Sequence, residues 1–297
     1  MSAVANPCVG SQTADNARFL RQWFEVNYNR IGFGCENAAS AARSQKKWFP
    51  CNKGGGQRKW YGNQSEVINW ENDGEAIKAF PGAVIRNEHC YYKPSVAWNM
   101  ISSGFISFRY FPKGFILNNA SNCITGENLE CLLGYLNSPY VAKIATIINP
   151  TLNLSNGVVA RFPYMVINEE SYRQRVLKNI SISKADWDAH ETSWDFAVNE
   201  IVDLDSEDKF KNIVGEINEL TGEQQTIDTP DFGSIEERLR LVKSKWLARF
   251  EKLHENEEEL NRQFIKIYGL EDELTPDVPF DEVTILQQGE ISIEEDV

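Results

Sequence analysis

Residues 235–268 read IEERLRLVKSKWLARFEKLHENEEELNRQFIKIY, and their spacing decides how the second half of the chain is built. Leu239, Val242, Trp246, Phe250, Leu253, Leu260, Phe264 and Ile267 recur at steps of three, four or seven, the period of one helix face. Gly269 stands just past the last of them, where a helix commonly ends in the left-handed region. At 1.5 Å per residue this helix is roughly 50 Å long, more than a compact domain usually needs. Its apolar stripe wants a partner: helices from 166–201, a further domain, or a second copy, with the further domain the expectation.

Outward from this helix, 168–179 and 184–201 read as short helices, the latter with Trp187 and Trp194 seven apart. Residues 202–234 read as a polar linker with Gly222, Pro230 and Gly233, and 271–297 as an acidic, extended, proline-interrupted tail. The first half is mixed α/β. Residues 15–30 suit a helix capped by Asp15, with Phe19, Trp23 and Val26 on one face. Residues 34–66 look like loop with short strands. CYYK (90–93), GFISFRYF and GFILNN read as strands, the last two as an antiparallel hairpin turning at Pro112-Lys113-Gly114. Leucines at 129, 132, 133 and 136 and apolar residues at 141, 144, 147 and 148 form two helical stripes broken at Asn137-Ser138-Pro139. A last strand is expected at VVARFPYMVI, after Asn156-Gly157.

The formal net charge of −13 argues against an anionic partner until the halves are counted apart. Residues 1–165 hold 16 Lys+Arg against 10 Asp+Glu; residues 166–297 hold 14 against 33. Any anion-binding surface therefore belongs to the first half. No apolar run reaches the ~20 residues that span a bilayer, and the N-terminus has no secretory leader. The six cysteines show no CxxC pair, so reduced thiols and a cytoplasmic location are expected.

The segment RSQKKWFPCNKGGGQRKWY (43–61) concentrates that positive charge: Arg43, Lys46, Lys47, Lys53, Arg58 and Lys59, with no acid between Glu36 and Glu66. Trp48-Phe49 and Trp60-Tyr61 are interleaved with the cations, and Gly54–Gly56 leave room for a close backbone approach to phosphate. Composition weighs a nucleic-acid loop evenly against a solvated basic loop. Asn137-Ser138-Pro139-Tyr140 is close to the Asn-Pro-Pro-Tyr tetrapeptide of amino-group DNA methyltransferases, but it follows a leucine-rich helical stripe and lacks an upstream glycine loop for S-adenosylmethionine. A helix break is the better reading. Glu207-Asp208-Lys209 reads as solvated charge, and histidines at 89, 190 and 254 are too scattered for a triad or metal site.

The runs IGFGC (31–35), KWFPCNKGGGQRKWYGNQSEVINWENDGEAIK (47–78), SISKADWDAHETSWDF (181–196) and ELNRQFIKIYGLEDELTPDVP (259–279) resemble BREX-type adenine-specific DNA methyltransferases of the PglX family, which act in phage defence. LLGYLNSPY…NPTLNLSNGVVARFPY (132–164) is similar to target-recognition domains of the wider Eco57I- and TaqI-like group. The resemblance implies the DNA-reading part of such an enzyme, with S-adenosylmethionine and the catalytic groups in a domain upstream of residue 1 and no catalytic, cofactor or metal residue in this chain.

The resulting expectation is an α/β (α+β) target-recognition domain at 15–165, a helical spacer at 166–270 with the long amphipathic helix, and the tail. Double-stranded DNA is the expected partner, with the catalytic domain or other BREX proteins beside it and no membrane. The candidate DNA contacts are Arg43, Lys46, Lys47, Lys53, Gln57, Arg58, Lys59, Trp60, Tyr61 and Asn63, with Arg109, Lys113 and Arg161 added on charge and position. Two rivals are an inert gene remnant and a protein-interaction module using the acidic half; salt-dependent duplex binding separates the first reading from both.

Overall fold

Among the described residues, eight short strands build the first half: β1 (Ala5–Cys8), β2 (Leu20–Gln22), β3 (Trp48–Asn52), β4 (Glu66–Asn69), β5 (Ser95–Asn99), β6 (Phe108–Phe111), β7 (Ile116–Leu117) and β8 (Ser121–Gly126). The computed structural model describes residues 5–101, 105–149, 151, 153–165, 170–224 and 234–286. One sheet has the order β1-β8-β5-β6, all antiparallel; the other has the order β2-β4-β3-β7, with β7 parallel to β3.

Side chains alternate across a strand, and here both faces of the first sheet are apolar. Val96, Trp98, Phe108 and Ile124 point to one core; Ala97, Phe111 and Cys123 point to another. The second core lies between the two sheets, closed by Phe49, Cys51, Ile68 and Ile116. The helices α1 (Ala38–Ser44) and α2 (Glu71–Lys78) cover the outer sheet with Ala41 and Ile77. The first core lies against helices: α3 (Leu129–Leu136) and α4 (Pro139–Ile148), then α5 (Glu170–Asp188), α6 (Glu207–Thr221) and α7 (Ile235–Tyr268). The molecule is a mixed α/β structure with a long helix near its end, in three layers: outer sheet, middle sheet, helices.

The long helix α7 runs from Ile235 to Tyr268, and Gly269 ends it at φ +65°. Its stripe is buried within this chain except near the two ends, where Leu239 and Ile267 are exposed. Phe250, Leu253, Leu260 and Phe264 pack into the core behind the middle sheet, and Leu241, Val242, Trp246 and Ala248 close a third cluster with Phe210, Ile217 and Leu220 of α6. A further domain is not needed to cover it. The supposed linker at 202–234 supplies part of the partner, because Phe210, Ile213, Ile217 and Leu220 fall on one face of α6. Residues 271–286 are likewise not an extended tail: Val278, Val283 and Ile285 are buried in the helix-side core, and Asn261 Nδ2 donates to Pro276 O at 2.9 Å. Residues 287–297 of the tail lie outside the described residues.

Several local expectations change. Asp15 does cap a helix, accepting from Arg18 N at 3.0 Å, but that helix stops at Phe19 because Leu20–Gln22 pairs with β4. The two strands of the expected hairpin enter different sheets; Gly114 at φ +105° turns the chain between them, where a Cβ would sit 3.0 Å from Gly34 N. CYYK forms a tight turn with Tyr91 and Tyr92 buried, and Asn156–Val159 is a helical turn rather than a strand; Val166–Glu169 lie outside the described residues. The two short helices expected between 168 and 201 are one continuous α5 to Asp188, followed by a single turn at Glu200–Asp203. The break at Asn137-Ser138 is as expected, with α3 and α4 bent by 69°. Among the described residues no single helix is long and apolar enough to cross a membrane.

Candidate nucleic-acid interface

The basic segment 43–63 is not one loop. It is the end of α1, the whole of β3, an exposed glycine turn, and then a buried stretch. Lys46 and Lys47 precede β3 while Lys53, Gln57 and Asn63 follow it, so the two groups are separated by a five-residue strand, on the order of 17 Å. Arg43 is exposed on α1, Lys46 Nζ donates to Asn29 O, and Lys47 Nζ lies 5.8 Å from the Trp48 ring centre. Lys53 is half-buried beside the glycines. Gln57 Nε2 donates to Phe105 O at 3.2 Å, and Asn63 Nδ2 donates to Gly56 O at 2.8 Å. Arg43, Lys46, Lys47 and Lys53 make no ion pair among the described residues.

Five of the candidate contacts point inward. Arg58 is 2% exposed and its Nη2 pairs with Asp186 Oδ2 on α5, while Nε donates to Tyr61 O at 2.9 Å. Lys59 Nζ meets Glu257 Oε2 of α7 at 2.9 Å, and Trp60 Nε1 donates to the other oxygen of the same carboxylate at 2.6 Å. Tyr61 lies under Lys184 Nζ, 5.3 Å from its ring centre, and burial pushes its hydroxyl up to about 12. Arg109 is fully buried between the sheets; burial, aided by the Arg58 guanidinium, pulls it down to about 10. As they stand, Arg58 and Lys59 spend their charge on Asp186 and Glu257 rather than offering it to a duplex laid on the outer surface. Part of the contrast between the basic and acidic halves is therefore internal complementarity. Asp186 and Glu257 were unremarkable in an acidic stretch, and no sequence signal marks them as the partners.

Lys113 is exposed but bonded to Glu36. Arg161 is exposed beside Phe162, whose ring packs into the helix-side core. Asn137 is structural: its Oδ1 accepts from Phe108 N at 2.9 Å and its Nδ2 donates to Phe108 O at 3.0 Å. Tyr140 stacks on Tyr268 with ring centres 3.9 Å apart, and Ser138 Oγ accepts from Val141 N at the start of α4. A cleft of about 890 Å³ opens between this helix break and residues 273–282, with Lys59, Asn99 and Ser107 in its wall. Cys8 and Cys90 are joined as a disulfide beside exposed His89, where the sequence alone suggested six reduced thiols.

No family model matches this sequence. It is 33% identical over 288 residues to the adenine-specific methyltransferase PglX of Lacticaseibacillus casei (strain Zhang), covering 93% of this chain and 22% of that protein. It is 37% identical over 190 residues to the adenine-specific methyltransferase BrxX of Escherichia coli O9:H4 (strain HS), covering 62% of this chain and 15% of that one. Among solved structures, the type IIL restriction-modification enzyme MmeI, in complex with DNA, aligns at a TM-score of 0.41 and 12% identity, over 92% of this chain and 34% of that one. This chain is thus similar to the adenine-specific methyltransferase PglX through nearly its whole length and to BrxX over nearly two thirds of it, and it spans about a fifth or less of each.

Proposed function

We propose that this chain is the DNA-reading part of an adenine-specific methyltransferase system, holding duplex DNA on its outer-sheet side while methyl transfer, and the S-adenosylmethionine it consumes, belong to parts of the enzyme that this chain does not match. The observation that carries the reading is the set of exposed or half-buried Arg43, Lys46, Lys47 and Lys53, which make no ion pair among the described residues of a chain with net charge −13. Lys178, Lys184, Lys209, Lys211, Arg240, Arg249 and Arg262 sit on carboxylates, while exposed Arg86, Lys93, Lys143 and Lys266 also make no ion pair among the described residues; what sets the four apart is that they lie close together in sequence. Cations with no carboxylate bonded to them, interleaved with Trp48 and the glycine turn, suit phosphate contact. The partner is double-stranded DNA, the protein partners are the catalytic part of the enzyme or other BREX components, and the compartment is the cytoplasm.

Fluorescence anisotropy of the full chain on a labelled duplex, across a salt series, tests this. Lys46→Ala/Lys47→Ala/Lys53→Ala should weaken binding and flatten the log–log salt slope by about 3, one counterion released per phosphate contact. Absence of duplex binding, or binding indifferent to salt, would favour the protein-interaction reading of the acidic half. With Asn137 and Tyr140 committed to backbone support and ring stacking, the purified chain supplied with labelled S-adenosylmethionine should leave DNA unmethylated; incorporation lost on Tyr140→Ala would reverse that assignment.

A further inference from the structure

Arg109 lies on the face of β6 that looks into the space between the sheets, alongside Ala97 and Phe111, and none of its surface is exposed. Nη2 donates to Asn99 Oδ1, while Nε and Nη1 have no partner among the described residues. The charged group acting on it is Arg58, of like sign. Interiors almost always pair such a cation or leave it a hydrogen-bonded anion or water. This guanidinium has three of its five donors to offer and no carboxylate to take them.

Asn99 ties it to the glycine turn Gly54–Gly56. Asn99 turns its other end toward that turn, Nδ2 donating to Gly55 O at 2.6 Å. Gly54 and Gly55 have φ of +107° and +133°, a backbone that a side chain would strain. The turn is held by side-chain amides, Asn99 on Gly55 and Asn63 on Gly56, and no N–H of Gly54, Gly55 or Gly56 has a partner among the described residues. Successive free N–H groups in such a turn make an anion-binding concavity, and a guanidinium fork matches two oxygens of a phosphate.

We propose that Arg109 and the Gly54–Gly56 amides form a phosphate-binding site, latched by Asn99 when empty, whose occupant is a backbone phosphodiester of DNA. This rests on the DNA-reading function above. When a phosphate enters, its oxygens take Nε and Nη1, Asn99 releases Nη2 and Gly55 O together, and the turn closes on the anion.

The first test is thermal denaturation of the full chain in sodium phosphate against chloride at matched ionic strength and pH. Phosphate should raise the wild-type Tm. Arg109→Met should melt above wild type in chloride, because the unpaired buried charge is gone, and should not respond to phosphate. Asn99→Asp places a carboxylate on the guanidinium from within and should abolish the response by itself, which keeps the test open if Arg109→Met fails to fold. A wild type indifferent to phosphate, or a response retained by either variant, overturns the site. On labelled duplex, Arg109→Met should flatten the salt slope by about 1. A wild type that binds duplex, with Arg109→Met binding as tightly and with the same slope, overturns the site and leaves DNA reading in place. A phosphate response without duplex binding overturns DNA as the occupant and keeps the anion site.

Discussion

Arg58 and Asp186 are 2% and 1% exposed, and each is left without its ion-pair partner if the other is cut away. Removing one member of a buried pair strands the second charge, which costs about 3–5 kcal/mol, whereas replacing both by apolar groups is often close to neutral. Asp186→Ala should therefore lower the urea midpoint strongly, and Arg58→Met/Asp186→Leu should recover much of the loss. The recovery will be incomplete, since Asp186 Oδ1 also accepts from Leu286 N at 3.0 Å. A double variant no better than Asp186→Ala would show that the carboxylate matters through that strap and not through the arginine. Residue identity alone gave little warning of this. Arg58 and Lys59 sit in the same basic run as Lys46, Lys47 and Lys53, and only their position after the glycine turn sends them inward.

At the scale of elements, α3 meets α5 at Gly134, where an added Cβ would fall 2.1 Å from Tyr172 Oη and 2.8 Å from Val176 Cγ2. Alanine gains about 1 kcal/mol of helix propensity over glycine, yet overpacking a close core contact costs about 1–3 kcal/mol and here also displaces the Tyr172 hydroxyl from Cys131 O. The second effect wins, so Gly134→Ala should destabilise by thermal or urea melts; a stabilised variant would mean that α5 shifts freely. The same scale shows what pattern can and cannot tell. The 34-residue α7 was readable to its end because its stripe repeats through nine turns and Gly269 closes it. The break before Pro139 was readable because proline cannot continue a helix. The strands were harder. A middle sheet buries both faces, so alternation carries no information about which strand neighbours which, and β6 and β7 looked like a hairpin although they pair in separate sheets. Of the candidate surface, the exposed cations were legible by charge, whereas Asn99 carried no mark at all, since its role exists only where β5 passes beneath the glycine turn.

For the whole molecule, the core behind the middle sheet joins Trp98 and Phe108 to Phe250, Phe264 and Ile285, so it runs across residue 165. A fragment ending there would bare Val96, Trp98, Phe108 and Leu132, each residue giving up roughly 1.5–3 kcal/mol or more of burial. Residues 1–165 expressed alone should be insoluble or molten by circular dichroism, and a cooperative melt from that fragment would show that the helical layer is dispensable. In the same way Trp246→Glu/Phe250→Glu should unfold the chain rather than free a docking face, because both rings are buried, Trp246 with its Nε1 on Glu200 Oε2 at 2.8 Å. The inward turn of Arg58, Lys59 and Trp60 bears on any attempt to graft specificity between relatives. Transplanting 43–63 alone would import cations whose carboxylates stay behind in another sequence, almost two hundred residues away at Glu257 and well over a hundred at Asp186. The portable unit is the basic run together with its two distant acids.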